Sequence, residues 1–255
     1  MTPQFRTAAA LEDIPHGFFG RQGGVSPGAL ASLNCGIGSG DDSAAISENR
    51  RRAANAVLPG AALVGTYQVH GHDCAVVDTP WRDDDRPHAD ALVTDRPGVL
   101  LGILTADCVP VLFADRQAGV VGAAHAGWKG ALAGITDATV AAMLAKGASI
   151  ARITAAVGPC IAAASYEVDA VFVDRFLNDD PANDHFFRDG RAGHAQFDIA
   201  AYVAARIAAT GVARVEILGD DTYARDADYF SYRRACHRGE NGYGRQISLI
   251  GVELA

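Results

Sequence analysis

The sequence predicts an α+β fold: a single domain over residues 1–255 with mixed β-sheets covered by helices. Three observations carry this prediction. At 255 residues, about half of them apolar, the chain can bury a large core without a second domain. Three short apolar runs crowd between Val99 and Ala124 and read as buried strands. Elsewhere helices and strands mix without the strict alternation of a doubly wound parallel sheet, and no internal repeat or low-complexity tract occurs.

In order, the opening segment RQGGVSPGALASLNCGIGSGDD is turn-rich and lacks a helical period. Ser43 reads as the N-cap of a helix reaching Leu58, with Ile46, Ala53, Ala54 and Val57 at helical spacing. Leu63–Val69 and Cys74–Val77 read as strands around a His70-Gly71 corner. A polar connection, WRDDDRPHAD, leads to strands at Val99–Thr105, Val109–Ala114 and Val120–Ala124. One helix is expected over Lys129–Lys146, ended by Gly147, and a strand over Ile153–Val157. Helices over Val168–Leu177 and Asp198–Ala209 are separated by a charged loop, NDDPANDHFFRDGRAGH, with Asp198 as an N-cap and Gly211 as a stop. Val212–Leu218 and Gln246–Val252 read as the last strands.

A formal net charge of −8 disfavours a broad electrostatic grip on nucleic acid or an anionic membrane. A small anion would need a local basic pocket. The N-terminus lacks a secretory pattern, and the most apolar stretch, Val99 to Phe113, is broken by Asp107 and Pro110. Five scattered cysteines fit reduced thiols, so a cytoplasmic protein is expected; oligomeric state stays open.

Three segments each put one soft or borderline metal ligand where a buried strand meets a turn. They are Gln68-Val69-His70-Gly71, Ala106-Asp107-Cys108-Val109-Pro110 and Ala124-His125-Ala126-Gly127-Trp128. Two histidines and a cysteine match the three-ligand pattern of a catalytic zinc that keeps a fourth position open. A lone strand-end histidine or a buried cysteine is more often structural, however. No two of these ligands share a short motif, and His72 would face the same side of a strand as His70. Spacing alone leaves the set open.

The strings HGFFGRQGGVS, SLNCGIGSGDD, NRRR, QVHG, ADALVT, TADCVPVLFAD, AAHAGWKG, GPCI, YEV and YFSYRR occur in this order. Together they resemble the laccase-domain (YfiH-like) family, formerly named polyphenol oxidase and understood as zinc-dependent purine nucleoside phosphorylases. The likeness runs from about His16 to Arg245, and the ADC-P and HAGW strings are its most specific parts. It implies a YfiH-like, cysteine-hydrolase-like fold, with His70, Cys108 and His125 as both the zinc ligands and the catalytic centre. It also implies phosphorolysis of adenosine, inosine and methylthioadenosine to the free base and ribose 1-phosphate, with adenosine deaminase activity beside it. Two departures are visible: Asp221-Thr222 stands where relatives often carry Cys-Thr, and the stretch from Arg234 to Gly244 is longer.

Phosphorolysis requires an anion site. Arg233, Arg234, Lys129 and Arg21 are the candidate phosphate binders, each with a solvated surface cation as its ordinary alternative. Asp107 is a candidate acceptor for a ligating imidazole, or else a cap or turn residue. Trp128 and Tyr232 are candidates to stack on a purine, or else packing residues. The Gly36-x-Gly38-x-Gly40 run lacks Rossmann spacing, so no dinucleotide is expected.

Three rivals remain. Copper is the alternative metal, but eight histidines with one His-x-His pair are few for a multicopper oxidase, and Met143 is the one methionine besides Met1. Cys108 with His125 could instead serve as a cysteine-hydrolase dyad, which has no use for His70. A purely structural zinc would need a fourth protein ligand. The His-x-Glu and Pro-Cys-x-x-Cys signature of cytidine-deaminase zinc sites is absent.

Overall fold

The long apolar stretch after Val99 shows no alternation because its strands are covered on both faces. The structure, a computed structural model, describes residues 3–253. Along the chain, β1 (Phe5–Arg6) and β2 (His16–Phe19) precede α1 (Ser43–Val57). Next come β3 (Ala62–Val64), β4 (Cys74–Val76), β5 (Ala91–Thr94), β6 (Val99–Thr105), β7 (Val109–Asp115) and β8 (Val120–Ala126). They are followed by α2 (Trp128–Ala133), α3 (Ile135–Ala145), β9 (Thr154–Val157), β10 (Glu167–Asp169) and α4 (Ala170–Asp179). Then β11 (Phe187–Asp189), β12 (His194–Phe197), α5 (Ile199–Ala209), β13 (Arg214–Ile217), α6 (Tyr232–Arg238) and β14 (Gln246–Gly251) complete the fold.

Two mixed sheets stack face to face. One has the order β1-β2-β14-β6-β3 and the other β13-β9-β7-β8-β5-β4, while β10-β12-β11 form a small antiparallel sheet. In β6, Leu101 and Ile103 point between the large sheets, whereas Leu100 points outward to Ala53 and Ala54 of α1. In β7, Leu112 and Ala114 face the same seam, whereas Val111 and Phe113 face α3, α5 and the small sheet. The layers are therefore helix, sheet, sheet, helices. This is the expected single-domain α+β class.

Several elements differ from the sequence expectation, each for a local reason. The strand expected over Leu63–Val69 stops at Val64, because the chain leaves the sheet to build the turn carrying His70. The single helix over Lys129–Lys146 is two, broken at Gly134, whose φ of 92° no helix interior accepts. Asp42, not Ser43, caps α1, its carboxylate accepting the Ala44 amide. Asp198 does cap α5. The charged stretch expected as a loop supplies β11 and the first residue of β12, and HGFF and ALVT are the strands β2 and β5. Among the described residues no helix is long and apolar enough to cross a membrane.

The chain crosses between the large sheets at two places that matter here. It passes from β3 to β4 through the His70 turn, and from β6 to β7 through Ala106-Asp107-Cys108.

Candidate metal centre

Both crossings are tight, and both place a non-glycine residue in the left-handed region: His70 at φ 61° and Asp107 at φ 84°. Such residues cost energy and need external support. For His70 the support is Asp90, fully buried just before β5. Its carboxylate accepts the amides of Val69 (3.1 Å), His70 (2.9 Å) and Gly71 (2.7 Å), a nest of backbone donors around one anion. The side chain of Gln68 holds the other end of the turn, bonding both the amide and the carbonyl of Leu104.

Asp90 also orients the second histidine. His125 Nδ1 donates to Asp90 Oδ1 at 2.8 Å, and the His125 amide bonds the Asp90 carbonyl. A carboxylate can only accept, so Nδ1 carries a proton and Nε2 is the ring nitrogen that could bind a metal. Asp107 does not take this role. It accepts from Thr222 Oγ1 (2.7 Å), Ser231 Oγ (2.9 Å) and the Arg233 amide (2.6 Å), fixing the turn that presents Cys108.

The register of β7 on β8 pairs Val109 with Ala126, which brings Cys108 opposite Gly127. The ligand atoms of His70, Cys108 and His125 consequently lie within 4.8 Å of one another. The two imidazoles meet edge to face with centroids 4.7 Å apart. Gly127 closes the back of the group: a Cβ there would sit 2.9 Å from His70 Cδ2 and 3.2 Å from Cys108 Sγ. Gly130 likewise lets α2 approach the turn, since a Cβ would lie 2.5 Å from the Gly71 carbonyl oxygen.

The electrostatics match the donor set. Burial alone would raise the Cys108 thiol, but His125 and then His70 outweigh it and hold it down to about 6. Burial opposes charge on His125, yet Cys108 and the Asp90 carboxylate raise it to about 9. Burial likewise opposes ionisation of Asp90, but His125 and the Gly71 and Val69 amides keep it below the usual carboxylate range. Near neutral pH the ion-free group is thus a Cys108 thiolate beside a His125 imidazolium, and a borderline cation such as zinc would take the place of the Nε2 proton. Among the described residues this group has three members; the exposed His72 is not one of them.

A cavity of about 580 Å³ opens over Cys108, His70 and His125. Tyr67, Tyr232 and Tyr243 bring aromatic surface to its wall, and Arg86 and Arg245 bring positive charge. The four cations singled out from sequence do not line it. Arg21 donates to the carbonyls of Ala29 and Ala31 and pairs with Asp226. Arg234 is buried, donating to the carbonyls of Thr222, Tyr223 and Tyr229 and pairing with Asp226. Arg233 donates to the Glu167 carbonyl and lies over the Tyr166 ring, and exposed Lys129 lies over Trp128. Trp128 packs on Phe172, centroids 5.0 Å apart, and so serves the core rather than the cavity; Tyr232 does face the cavity. Of the two departures from the family strings, Asp221 accepts from the Ala162 and Tyr223 amides and from Ser165 Oγ and does not line the cavity, whereas the longer stretch delivers Tyr243.

Sequence reasoning missed Asp90, Arg86 and Arg245. Asp90 stands in the ADALVT string, but nothing in its spacing to His70 and His125 announces that one carboxylate serves both.

Known proteins with similar sequence and fold give the context. The family described as multi-copper polyphenol oxidoreductase laccase matches residues 15–253. A purine nucleoside phosphorylase of Streptomyces griseus is 43% identical over 236 residues, covering 92% of this chain and 94% of the relative. One of Deinococcus radiodurans is 41% identical over 243 residues, 94% of this chain and 89% of the relative. Among solved structures, the Neisseria meningitidis protein NMB0706 superposes with a TM-score of 0.87 at 31% identity over the whole of both chains. YlmD of Geobacillus stearothermophilus superposes with a TM-score of 0.86 at 30% identity, covering 100% of this chain and 97% of that one. Sequence and fold agree along nearly the whole length, and the chain belongs to this laccase-like, YfiH-type family.

Proposed function

We propose that this chain is a zinc-dependent purine nucleoside phosphorylase, with His70, Cys108 and His125 as the metal ligands and the catalytic centre. The observation that carries the proposal is the three-ligand group at the base of a cavity large enough for a nucleoside, in a chain whose relatives are named purine nucleoside phosphorylases. Adenosine, inosine and methylthioadenosine are the substrates, giving the base and ribose 1-phosphate, and deamination of adenosine is a companion activity. When bound, zinc supplies Lewis-acid polarisation and a source of hydroxide near neutral pH. The chain's own residues do the rest. Asp90 holds His125 in one tautomer, Gln68 and Asp90 fix the His70 turn, and the three tyrosines offer π-faces to a planar base.

Copper electron transfer has less support, because Met143, which would be the axial ligand, is buried in the core on α3. A second reading has a specific observation behind it. Cys108, His125 and Asp90 form a relay in which the thiol is held down to about 6, the arrangement a cysteine nucleophile uses.

The test is product analysis of purified, zinc-loaded protein given adenosine or inosine with and without phosphate. Hypoxanthine released from inosine only when phosphate is present is the expected result. No turnover of either nucleoside would sink the proposal. Activity that survives chelators but is abolished by a thiol alkylator would favour the cysteine nucleophile.

A further inference from the structure

The cavity beside the triad carries polar groups that neither the fold nor the three-ligand group uses. Arg86 and Arg245 both line it. They come from different walls. Arg86 precedes Pro87, whose carbonyl accepts the Tyr67 amide, and Arg245 stands just before β14, its backbone bonded to Asn34 and Cys35. Among the described residues neither guanidinium meets a carboxylate. Arg86 Nε donates to the Asp83 carbonyl, and Arg245 reaches the Tyr243 hydroxyl at 3.3 Å while lying 4.9 Å above its ring. Arg21 and Arg234, by contrast, are both neutralised by Asp226. In a chain of net charge −8, two arginines without a carboxylate partner bring positive charge to one cavity.

A second, independent observation concerns hydroxyls. Thr66 and Thr105 are 3% and 2% exposed, line the same cavity, and have Oγ1 atoms without a hydrogen-bond partner. They lie beyond the end of β3 and at the end of β6, neighbouring parallel strands. A buried hydroxyl left unpaired is unfavourable, and a ligand oxygen in this cavity would complete both.

We propose that Arg86 and Arg245 form a phosphate-binding end of this cavity, and that the Thr66 and Thr105 hydroxyls bond oxygen atoms of the same ligand. Planar guanidiniums suit a tetrahedral oxyanion because they offer two parallel N–H donors. That the anion is a phosphate rests on the phosphorylase reading; the positive character of this end does not. Inorganic phosphate as co-substrate and the phosphate of a nucleotide present the same chemistry, and the experiment separates them.

Calorimetric titration of the zinc-loaded chain with inorganic phosphate, inosine and inosine monophosphate tests the site. Arg86→Gln and Arg245→Gln should each weaken phosphate binding at least tenfold, and Thr105→Val several-fold. Arg51→Gln, an exposed arginine on α1 paired with Glu48, should leave it unchanged. Arg245→Lys, which keeps the charge, should recover part of the loss and guards against a merely structural effect. Inosine and phosphate binding together identifies a co-substrate site, and inosine monophosphate displacing phosphate identifies a nucleotide site; both uphold the anion end. Wild-type chain that binds no phosphate, or unchanged affinity in both arginine variants, overturns it. Phosphate binding lost in the variants of a chain that phosphorolyses no nucleoside keeps the site and removes the phosphorylase reading. Phosphorolysis with an unaltered KM for phosphate in both variants does the reverse.

Discussion

At the scale of single residues, the site depends on groups that are not themselves ligands. Gly127 has φ −68°, which any residue accepts, so its side-chain position matters only for what a Cβ would strike. That obstacle is the ligand group itself. Gly127→Ala is therefore expected to leave apo stability within about 1 kcal/mol of wild type. It should weaken zinc binding about tenfold or more, a loss of the size seen when residues supporting a metal site are disturbed. Competition with a fluorescent chelator measures it, and wild-type affinity would contradict the steric account. The three residues of the candidate group were legible because each sits in a distinctive string. Asp90 was not, because its partners lie 20 and 35 residues away and only folding shows that they converge. Arg86 and Arg245 were hidden for the opposite reason: exposed-looking arginines are common, and which of them lack a carboxylate is a property of the surface.

At the scale of elements, the sequence marked the long apolar strands and the capped helices well. It failed where a short element is stabilised by neighbours. β2 and β5 are four residues each and take their place from pairing with β14 and β8. The α2–α3 break was hidden because helical spacing persists through Gly134. Its φ of 92° makes a testable difference. Gly134→Ala should cost about 1–2 kcal/mol in urea unfolding, since an L side chain is strained there, while zinc affinity stays unchanged. A neutral or stabilising result would mean that the two helices can merge into the single one that the spacing suggests.

Over the whole molecule, pH enters through a histidine far from the metal group. Buried His16 on β2 accepts the Ala8 amide at Nε2 (2.8 Å) and bonds the Ile14 carbonyl at Nδ1 (2.7 Å). Only the neutral ring, protonated at Nδ1, can make both bonds. Burial lowers its pKa below the ordinary value near 6.5, against smaller opposing effects of the Ile14 carbonyl and Glu216. The unfolded chain therefore binds more protons than the folded one between the folded pKa and about 6.5. The His16 contribution is full above that range and is lost as pH falls through it, with a slope of at most about 1.4 kcal/mol per pH unit. Urea midpoints measured from pH 8 to pH 5 should fall accordingly, and His16→Gln should flatten the slope. An unchanged slope in the variant would assign the acid sensitivity elsewhere.

The two ligand-bearing crossings join one large sheet to the other, while His125 belongs wholly to the second. An ion gripped by all three fastens the layers together as a cross-link would, and it can be held only after they have docked. Its binding free energy is then also folding free energy, growing by about 1.4 kcal/mol for each tenfold rise in free metal above the dissociation constant. On the proposed reading, metal-poor surroundings leave the same chain both idle and easier to unfold. On that reading a single ion sets the amount of the protein as well as what it can do.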